Sequence, residues 1–443
     1  MLYTTYKITK PIRLIEFFAG YGSQALALKY LGVKFEHWKI CEWAIKSIQA
    51  YKDIHFEEDT KDYSKDLETG QIKEFLFNKG ISSNYNETMS MAQINRLNDK
   101  QVRTIYNNIQ ATHNLVNIQQ VKGKDLEIVD TDKFTYLLTY SFPCQDLSLA
   151  GKGKGMSNTS TRSGMLWEVE RILTECKEKP QVLLMENVPQ VHGADNKDDF
   201  NKWQLRLEEL GYKNYWQDLI ATDYGIPQTR NRCFMVSILG DYNYTFPRPI
   251  PLKLKLKDML ENSVDEKYYL SSKMIQYITS RMPTGENKIT TGINMGNKQS
   301  LNKAGTITTG EGSKSTSNYL IDNQDYDYSK EEGKIIKIKN ATKQGYLEAT
   351  DGDGIDISSR MEHHRGNVQK DKVQTLTTQC DRGVVNSDLR IRKLTPRECF
   401  RLMGVKDEDY DKIAKNQSDS SLYHLAGDSI VVNVLMAIFK EML

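Results

Sequence analysis

The residue in this chain best suited to covalent chemistry is a thiol set behind a proline. Cys144 stands in Ser141-Phe142-Pro143-Cys144-Gln145. It follows a run that reads as a buried strand, Phe134-Thr-Tyr-Leu-Leu-Thr-Tyr140, and precedes the glycine- and lysine-rich segment Gly151-Lys-Gly-Lys-Gly155. Proline fixes the backbone just before the thiol. A thiolate held there in a basic environment is a nucleophile for an electron-poor carbon. The other five of the six cysteines, Cys41, Cys176, Cys233, Cys380 and Cys399, form no CxxC pair. No His/Cys cluster has metal-ligand spacing, so no metal is expected.

Further reactive groups fall at the ends of predicted strands. Gln181-Val-Leu-Leu-Met185 reads as a buried strand carrying Glu186-Asn187-Val188. Ligands of open α/β sheets bind at the carboxyl ends of strands, so Cys144 and Glu186 belong to one edge. Gln228, Arg230 and Arg232 alternate along a segment that, if extended, puts all three on one side. Near the N-terminus, Ile12–Phe18 reads as a strand, Ala19-Gly20-Tyr21-Gly22-Ser23 as a tight turn and Gln24–Leu31 as a helix. That order makes a nucleotide-type pocket, because glycines allow close approach and helix amides favour negative charge. Taken alone, the same turn also fits any short strand-to-helix connection.

The second strand, Phe35–Cys41, ends at Glu42-Trp43. An acid about twenty positions after a glycine turn suits two ribose hydroxyls, and Trp43 could cover an adenine face. A surface Glu beside a core Trp is the plainer alternative. Asp125, after Val121-Lys-Gly-Lys, suits an adenine amine or an ordinary turn.

The elements that must position these groups alternate strand and helix over residues 1–240. Helices at Met165–Glu178 and Phe200–Leu210 and strands at Tyr212–Ala221 and Cys233–Leu239 continue the pattern. A polar stretch at about 59–116, with helical patches at Met91–Leu97 and Asp99–Ile109, reads as an insertion without chemistry of its own. Past the proline-punctuated Phe246-Pro-Arg-Pro-Ile-Pro251, residues 241–388 are polar and rich in Gly, Ser, Thr and Asn, which predicts a smaller, mostly irregular or β domain. Residues 389–443 return to the first domain. Thr395-Pro396-Arg397-Glu398 predicts a capped helix start, and Gly427-Asp-Ser-Ile430 predicts the opening of a C-terminal helix. With 443 residues and a net charge of +2, overall charge does not announce a nucleic-acid partner. No apolar run approaches a bilayer span and the N-terminus lacks a secretory core, so the expected location is cytoplasmic.

In this setting the motifs, taken in order, resemble the DNA (cytosine-5)-methyltransferases of restriction-modification systems in bacteria and phages. They are Phe18-Ala-Gly-Tyr-Gly22, Pro143-Cys144-Gln145, Glu186-Asn187-Val188, Gln228-x-Arg230-x-Arg232, Arg392-Lys-Leu-Thr-Pro-Arg-Glu398 and Gly427-Asp-Ser-Ile430. The resemblance implies an α/β, Rossmann-like S-adenosylmethionine-dependent methyltransferase domain with a smaller target-recognition domain. It implies S-adenosylmethionine as methyl donor, held by Phe18, Ala19, Gly20, Tyr21, Gly22, Glu42, Trp43, Asp125, Leu126, Pro143, Leu166, Asp428 and Ser429. The family usually has Asn where this chain has Asp428, and Asp keeps the acceptor but loses the amide donor.

The resemblance also implies roles in catalysis. Cys144 would attack C6 of cytosine, Glu186, holding or sharing a proton, would contact N3 and the exocyclic amine, Arg232 would position the base around O2, and Arg230 would support the site. Double-stranded DNA is the implied partner, with the target base flipped out. Gln145, Ser148, Lys152, Lys154, Arg162, Gln228, Thr375, Leu376 and Thr377 are expected to face it, the 150–162 loop acting as a lid. A monomer is expected, with any cognate endonuclease acting separately. A tRNA methyltransferase of the same fold and an inactive DNA-binding homologue are the alternatives.

Overall fold

In the computed structural model the described residues are 4–142, 163–270, 335–357, 366–378, 381–385 and 391–443. Cys144, Pro143, Gln145, Ser148, Lys152, Lys154, Arg162 and the 150–162 lid expectation lie outside them. Contacts divide the chain into two units. The first is Met1–Tyr224, Asn231–Pro251 and Met403–Leu443, and the second is Gly225–Arg230 with Leu252–Leu402.

The first unit is built on a six-stranded sheet. Its strands are β1 (Ile12–Phe17), β2 (Phe35–Cys41), β3 (Thr135–Tyr140), β4 (Val182–Asn187), β5 (Tyr212–Ile220) and β7 (Asn231–Leu239), in the order β2-β1-β3-β4-β7-β5. β1, β2, β3 and β4 pair in parallel, and β7 runs antiparallel to both β4 and β5. Every residue of β3 and β4 is buried, as the continuous apolar runs of strands covered on both faces require. The parallel register carries the C-terminal ends of β1, β2, β3 and β4 to one edge, which delivers Phe18, Glu42, Ser141 and Glu186 together.

Helices α1 (Ser23–Tyr30) and α2 (Ile45–His55) follow β1 and β2. The insertion supplies α3 (Thr69–Lys79), α4 (Met91–Asn95) and α5 (Asp99–Ala111). Its polar composition hides a core of its own: Ile72, Leu76, Ile94, Val102, Ile105 and Ile109 pack together with Ile48 of α2. Helices α4 and α5 each begin with a capping box, Ser90 with Gln93 and Asn98 with Gln101. α6 (Leu166–Glu175) and α7 (Lys197–Glu209) complete the main apolar cluster with Val169, Leu173, Phe200 and Trp203.

In the second unit, β6 (Gln228–Thr229) pairs in parallel with β12 (Val373–Gln374). β8 (Ile336–Lys339) and β9 (Tyr346–Ala349) form a hairpin. β10 (Gly354–Asp356), β11 (Val368–Gln369), β13 (Arg382–Val385) and β14 (Ile391–Lys393) form a small sheet in the order β11-β10-β13-β14. Because β14 pairs with β13, residues 391–393 belong to this unit, and the chain rejoins the first unit at Met403 rather than near residue 389. α8 (Pro396–Leu402) starts as the sequence predicts: Thr395 N–H donates to Glu398 Oε2 (2.8 Å) and Glu398 N–H to Thr395 Oγ1 (3.2 Å). Arg392 then pairs with the fully buried Glu398 through both guanidinium nitrogens (2.8 and 2.7 Å).

The C-terminal segment differs from expectation. Gly427-Asp428 closes a helix instead of opening one. α9 (Asp407–Ala414) is followed by α10 (Asp419–Asp428), whose N-cap Ser418 accepts from Ser421 N–H, and then by α11 (Val432–Lys440). The stretch Asp419–Lys440 is long and apolar enough to cross a membrane by length and composition alone, which the sequence reading did not register. However, 72% of its most apolar window is buried, as befits core helices, and Ser429–Val431 interrupts it.

Candidate active site

The edge of the sheet carries two clusters, one at β1–β2 and one at β3–β4–β7. At the first, Phe18 leaves β1 with φ +57 and donates its N–H to Cys41 O (2.8 Å). A positive φ in a bulky residue is strained, and strain of this kind collects at functional turns. Gly20 follows with φ +56, and a Cβ there would meet nothing within 4 Å, so the turn faces open space. Gly22, with φ +84, caps α1; a Cβ there would come within 2.3 Å of His55 Nε2 and 2.7 Å of Tyr51 Cε2. Only glycine lets the turn sit this close to α2.

Glu42, just past β2, accepts Gly20 N–H on Oε2 (3.0 Å) and Ala44 N–H on Oε1 (2.8 Å). Burial pushes its pKa up to about 7, against the opposing effect of these amides, and the nearby Asp428 charge adds to the rise. Asn114, from the end of the insertion, clamps the Glu42 backbone from both sides, donating to its carbonyl (2.9 Å) and accepting its N–H (3.1 Å). Trp43 is half-buried and packs against the insertion's apolar cluster. Behind the turn lies a second buried acid, Glu16, raised by burial to about 7; it accepts from Tyr51 Oη (2.5 Å) and from Ala25 N–H.

The far end of the chain joins this cluster. Ser429 Oγ lies 2.9 Å from the Oη of Tyr21, which is fully buried. Asp428, half-exposed, sits 3.0 Å from His424 Nδ1. Asp125 spends Oδ2 on Lys122 N–H (2.9 Å) in a 3₁₀ turn, Gly123–Leu126. Leu126 and Leu166 are fully buried in the main apolar cluster.

At the second cluster, Ser141 Oγ donates to Glu186 Oε2 (2.5 Å), and Arg232 Nε faces Glu186 Oε1 at 3.1 Å. Asn187 Nδ2 donates to Phe142 O (3.0 Å). The two residues that lead into Pro143-Cys144 are thus each tied to the Glu186-Asn187 pair. Strand alternation puts Glu186, Phe234 and Arg232 on one face of β4 and β7 and Asn187, Cys233 and Asp218 on the other. On that reverse face His192 Nε2 sits 2.9 Å from Asp218 Oδ1, and with Cys233 they form a group whose ligand-type atoms lie within 4.8 Å of one another. Its members come from separate elements, so sequence spacing carries no sign of this group.

Gln228 and Arg230 belong to the second unit and Arg232 to the first. Gln228, expected to face DNA, is fully buried; it donates to Leu402 O (2.7 Å) and accepts from Leu376 N–H (3.0 Å). Arg230 is also buried and donates to Leu376 O (3.1 Å). Both knit the second unit together. Leu376 is itself buried, Thr375 Oγ1 donates to Thr229 O (3.2 Å), and Thr377 Oγ1 donates to Asp381 Oδ1 (2.7 Å). The contributors that escaped the sequence reading are Ser141, inside the cysteine motif, Asn114, at the end of the insertion, and His424, beside Asp428.

A parallel-rich α/β sheet, with a glycine turn after its first strand and acids at the ends of neighbouring strands along one edge, matches the fold of S-adenosylmethionine-dependent methyltransferases. The family described as C-5 cytosine-specific DNA methylase matches residues 77–443. The chain is 32% identical over 438 residues to the Type II methyltransferase M2.ScrFI of Lactococcus lactis subsp. cremoris, covering 97% of this chain and 99% of that one. It is 36% identical over 286 residues to the orphan methyltransferase M.SssI of Spiroplasma monobiae, covering 63% and 72%. In fold it is similar to the Entamoeba histolytica methyltransferase EhMeth, with a TM-score of 0.51 at 13% identity over 98% of each chain. The chain belongs to the C-5 cytosine-specific DNA methylase family and is a DNA (cytosine-5)-methyltransferase.

Proposed function

We propose that the chain methylates C5 of a cytosine flipped out of duplex DNA, with Cys144 as covalent nucleophile and S-adenosylmethionine as donor. The observation that carries this reading is the clamp at β3–β4: Ser141 and Phe142, directly before Pro143-Cys144, bond to Glu186 and Asn187, and Arg232 faces Glu186. The clamp ties the two residues before Pro143-Cys144 to Glu186 and Asn187.

C5 of cytosine is a poor nucleophile. Addition of the Cys144 thiolate to C6, with a proton passed to N3 by Glu186, turns the ring into an enamine that is nucleophilic at C5. Arg232 orients the base and balances charge beside Glu186. After methylation, loss of the C5 proton and elimination of the thiolate restore the aromatic ring and the enzyme.

The first cluster fits the donor. Open space over Gly20, a buried acid at Glu42 with amides already aligned, and acceptors at Asp428 and Asp125 suit a ribose, an ammonium and an adenine amine. When bound, the donor supplies an electrophilic methyl on a sulfonium. Phe18 to Gly22 shape its methionine end, Glu42 accepts from the ribose hydroxyls, and Trp43 and Asp125 bound the adenine. The second unit carries target recognition, with Gln228 and Arg230 holding the Thr375–Thr377 segment in shape. The protein works as a monomer.

Bisulfite sequencing of DNA from cells expressing the wild-type and Cys144→Ala proteins tests this reading. Wild type is expected to protect cytosines in one sequence context. The variant is expected to protect none while binding the donor with unchanged affinity. Protection by the variant would remove Cys144 as the nucleophile.

A further inference from the structure

The insertion reaches the donor cluster through one turn. Ser82 N–H donates to Trp43 O (2.8 Å) and Ile45 N–H to Ser82 O (2.9 Å), which fastens the turn to the chain directly after Glu42. Within the turn, Asn84 Oδ1 accepts from Asn86 and Glu87 N–H (3.0 and 3.2 Å), and Ser82 Oγ donates to Glu87 O (2.7 Å). These bonds hold Tyr85 at φ +63. A tyrosine in the left-handed region is an outlier that the surrounding bonds must impose. What the strained backbone achieves is contact: the Tyr85 ring stacks on His424 at 3.8 Å between centroids and 19° between planes.

His424 lies one helical turn before Asp428, and its Nδ1 is 3.0 Å from Asp428 Oδ2. Glu42 is close enough to act electrostatically on Tyr85, His424 and Asp428. Burial lowers the affinity of His424 for its second proton, but Asp428 and then Glu42 outweigh it, so the net shift is upward. Asp428 offers only acceptors, and the imidazole offers the donor that a carboxylate lacks.

We propose that His424 is a positioning residue of the donor pocket, its imidazole setting the position of the Asp428 carboxylate, and that Tyr85 of the insertion pins the ring in place. This rests on reading the first cluster as the donor site. The insertion then contributes to methyl-donor affinity through Tyr85 and through Asn114.

The test is a double-mutant cycle read by calorimetric titration with S-adenosylhomocysteine, using full-length protein and variants His424→Ala, Asp428→Asn and the pair. In the wild-type background, loss of His424 is expected to weaken binding about tenfold, the scale of one charge-assisted contact. In the Asp428→Asn background, where the second carboxylate is gone, the same loss should cost less than about twofold, the limit for independent sites. A merely structural histidine would cost the same in both backgrounds, and that result would overturn the inference. So would a His424→Ala affinity within about twofold of wild type. His424→Gln serves if the alanine variant does not fold, and Tyr85→Leu reads the same pocket from the insertion, with a smaller loss expected. Failure of the wild type to bind S-adenosylhomocysteine would instead remove the donor-site reading.

Discussion

Two buried glutamates stand at the same edge of one sheet and are satisfied in opposite ways. Glu186, ending β4, has a guanidinium on one oxygen and a serine hydroxyl on the other. Glu42, just past β2, has backbone amides and a second carboxylate nearby. The contrast follows from what each must meet. On the proposed reading a flat base is gripped beside Glu186 and its ring charge managed, which calls for side chains of both signs. On the proposed reading Glu42 meets the neutral hydroxyls of a cationic donor, for which a carboxylate held by backbone amides is suited. Parallel strand ends supply both positions, and the following loop decides which chemistry each one does.

Breaking the Glu186 side should have the larger effects. Glu186→Gln keeps the shape but removes the proton donor and acceptor, and general acid–base groups contribute roughly 10²- to 10⁴-fold. Single-turnover methylation is expected to slow within that range while DNA affinity stays near wild type. Equal rates for both proteins would separate Glu186 from the chemistry. Arg232→Ala leaves a buried carboxylate without its cation, and breaking one partner of a buried pair costs about 3–5 kcal/mol. Chemical denaturation should show that loss, and adding Glu186→Gln to Arg232→Ala should restore part of it. A pair of changes no more stable than Arg232→Ala alone would mean the ion pair does not hold the strand ends.

The Glu42 side should respond more gently, and to pH. With its pKa near 7, Glu42 is largely protonated below that pH and ionised above it. Ribose hydroxyls donate best to the ionised form, so affinity for S-adenosylhomocysteine should rise as pH rises through 7. If only the ionised form binds, the gain from about pH 6 to about pH 8 is roughly tenfold. Glu42→Gln should bind weakly and without that slope. A wild-type affinity flat over this range would show that the carboxylate does not titrate against the ligand.

Local signals carried the sheet and both acids into view from the sequence. β2 runs Phe35–Cys41 as expected, and the Thr395–Glu398 capping box forms in full. Signals that depend on tertiary partners were illegible. Gly427-Asp428-Ser429 reads as the start of the C-terminal helix, yet that helix opens at Val432, and Gly427 and Asp428 close the helix before it. The resemblance implies that Gln228 faces DNA, but only the fold shows both ends of its amide bonded to backbone. The insertion looked inert because Asn114 and Tyr85 act at residues 72 and 339 positions away, Glu42 and His424 respectively.

The central claim is that Cys144 bonds to C6 of the target cytosine while Glu186 and Arg232 face the ring. A duplex whose cytosines carry fluorine at C5 tests it directly, since fluorine cannot leave as a proton and the addition product should persist. With S-adenosylmethionine present, mass spectrometry of the digested protein is expected to find the methylated fluorocytosine joined to the peptide containing Cys144. Methylation with no protein–DNA adduct, or an adduct at any other residue, would contradict the account.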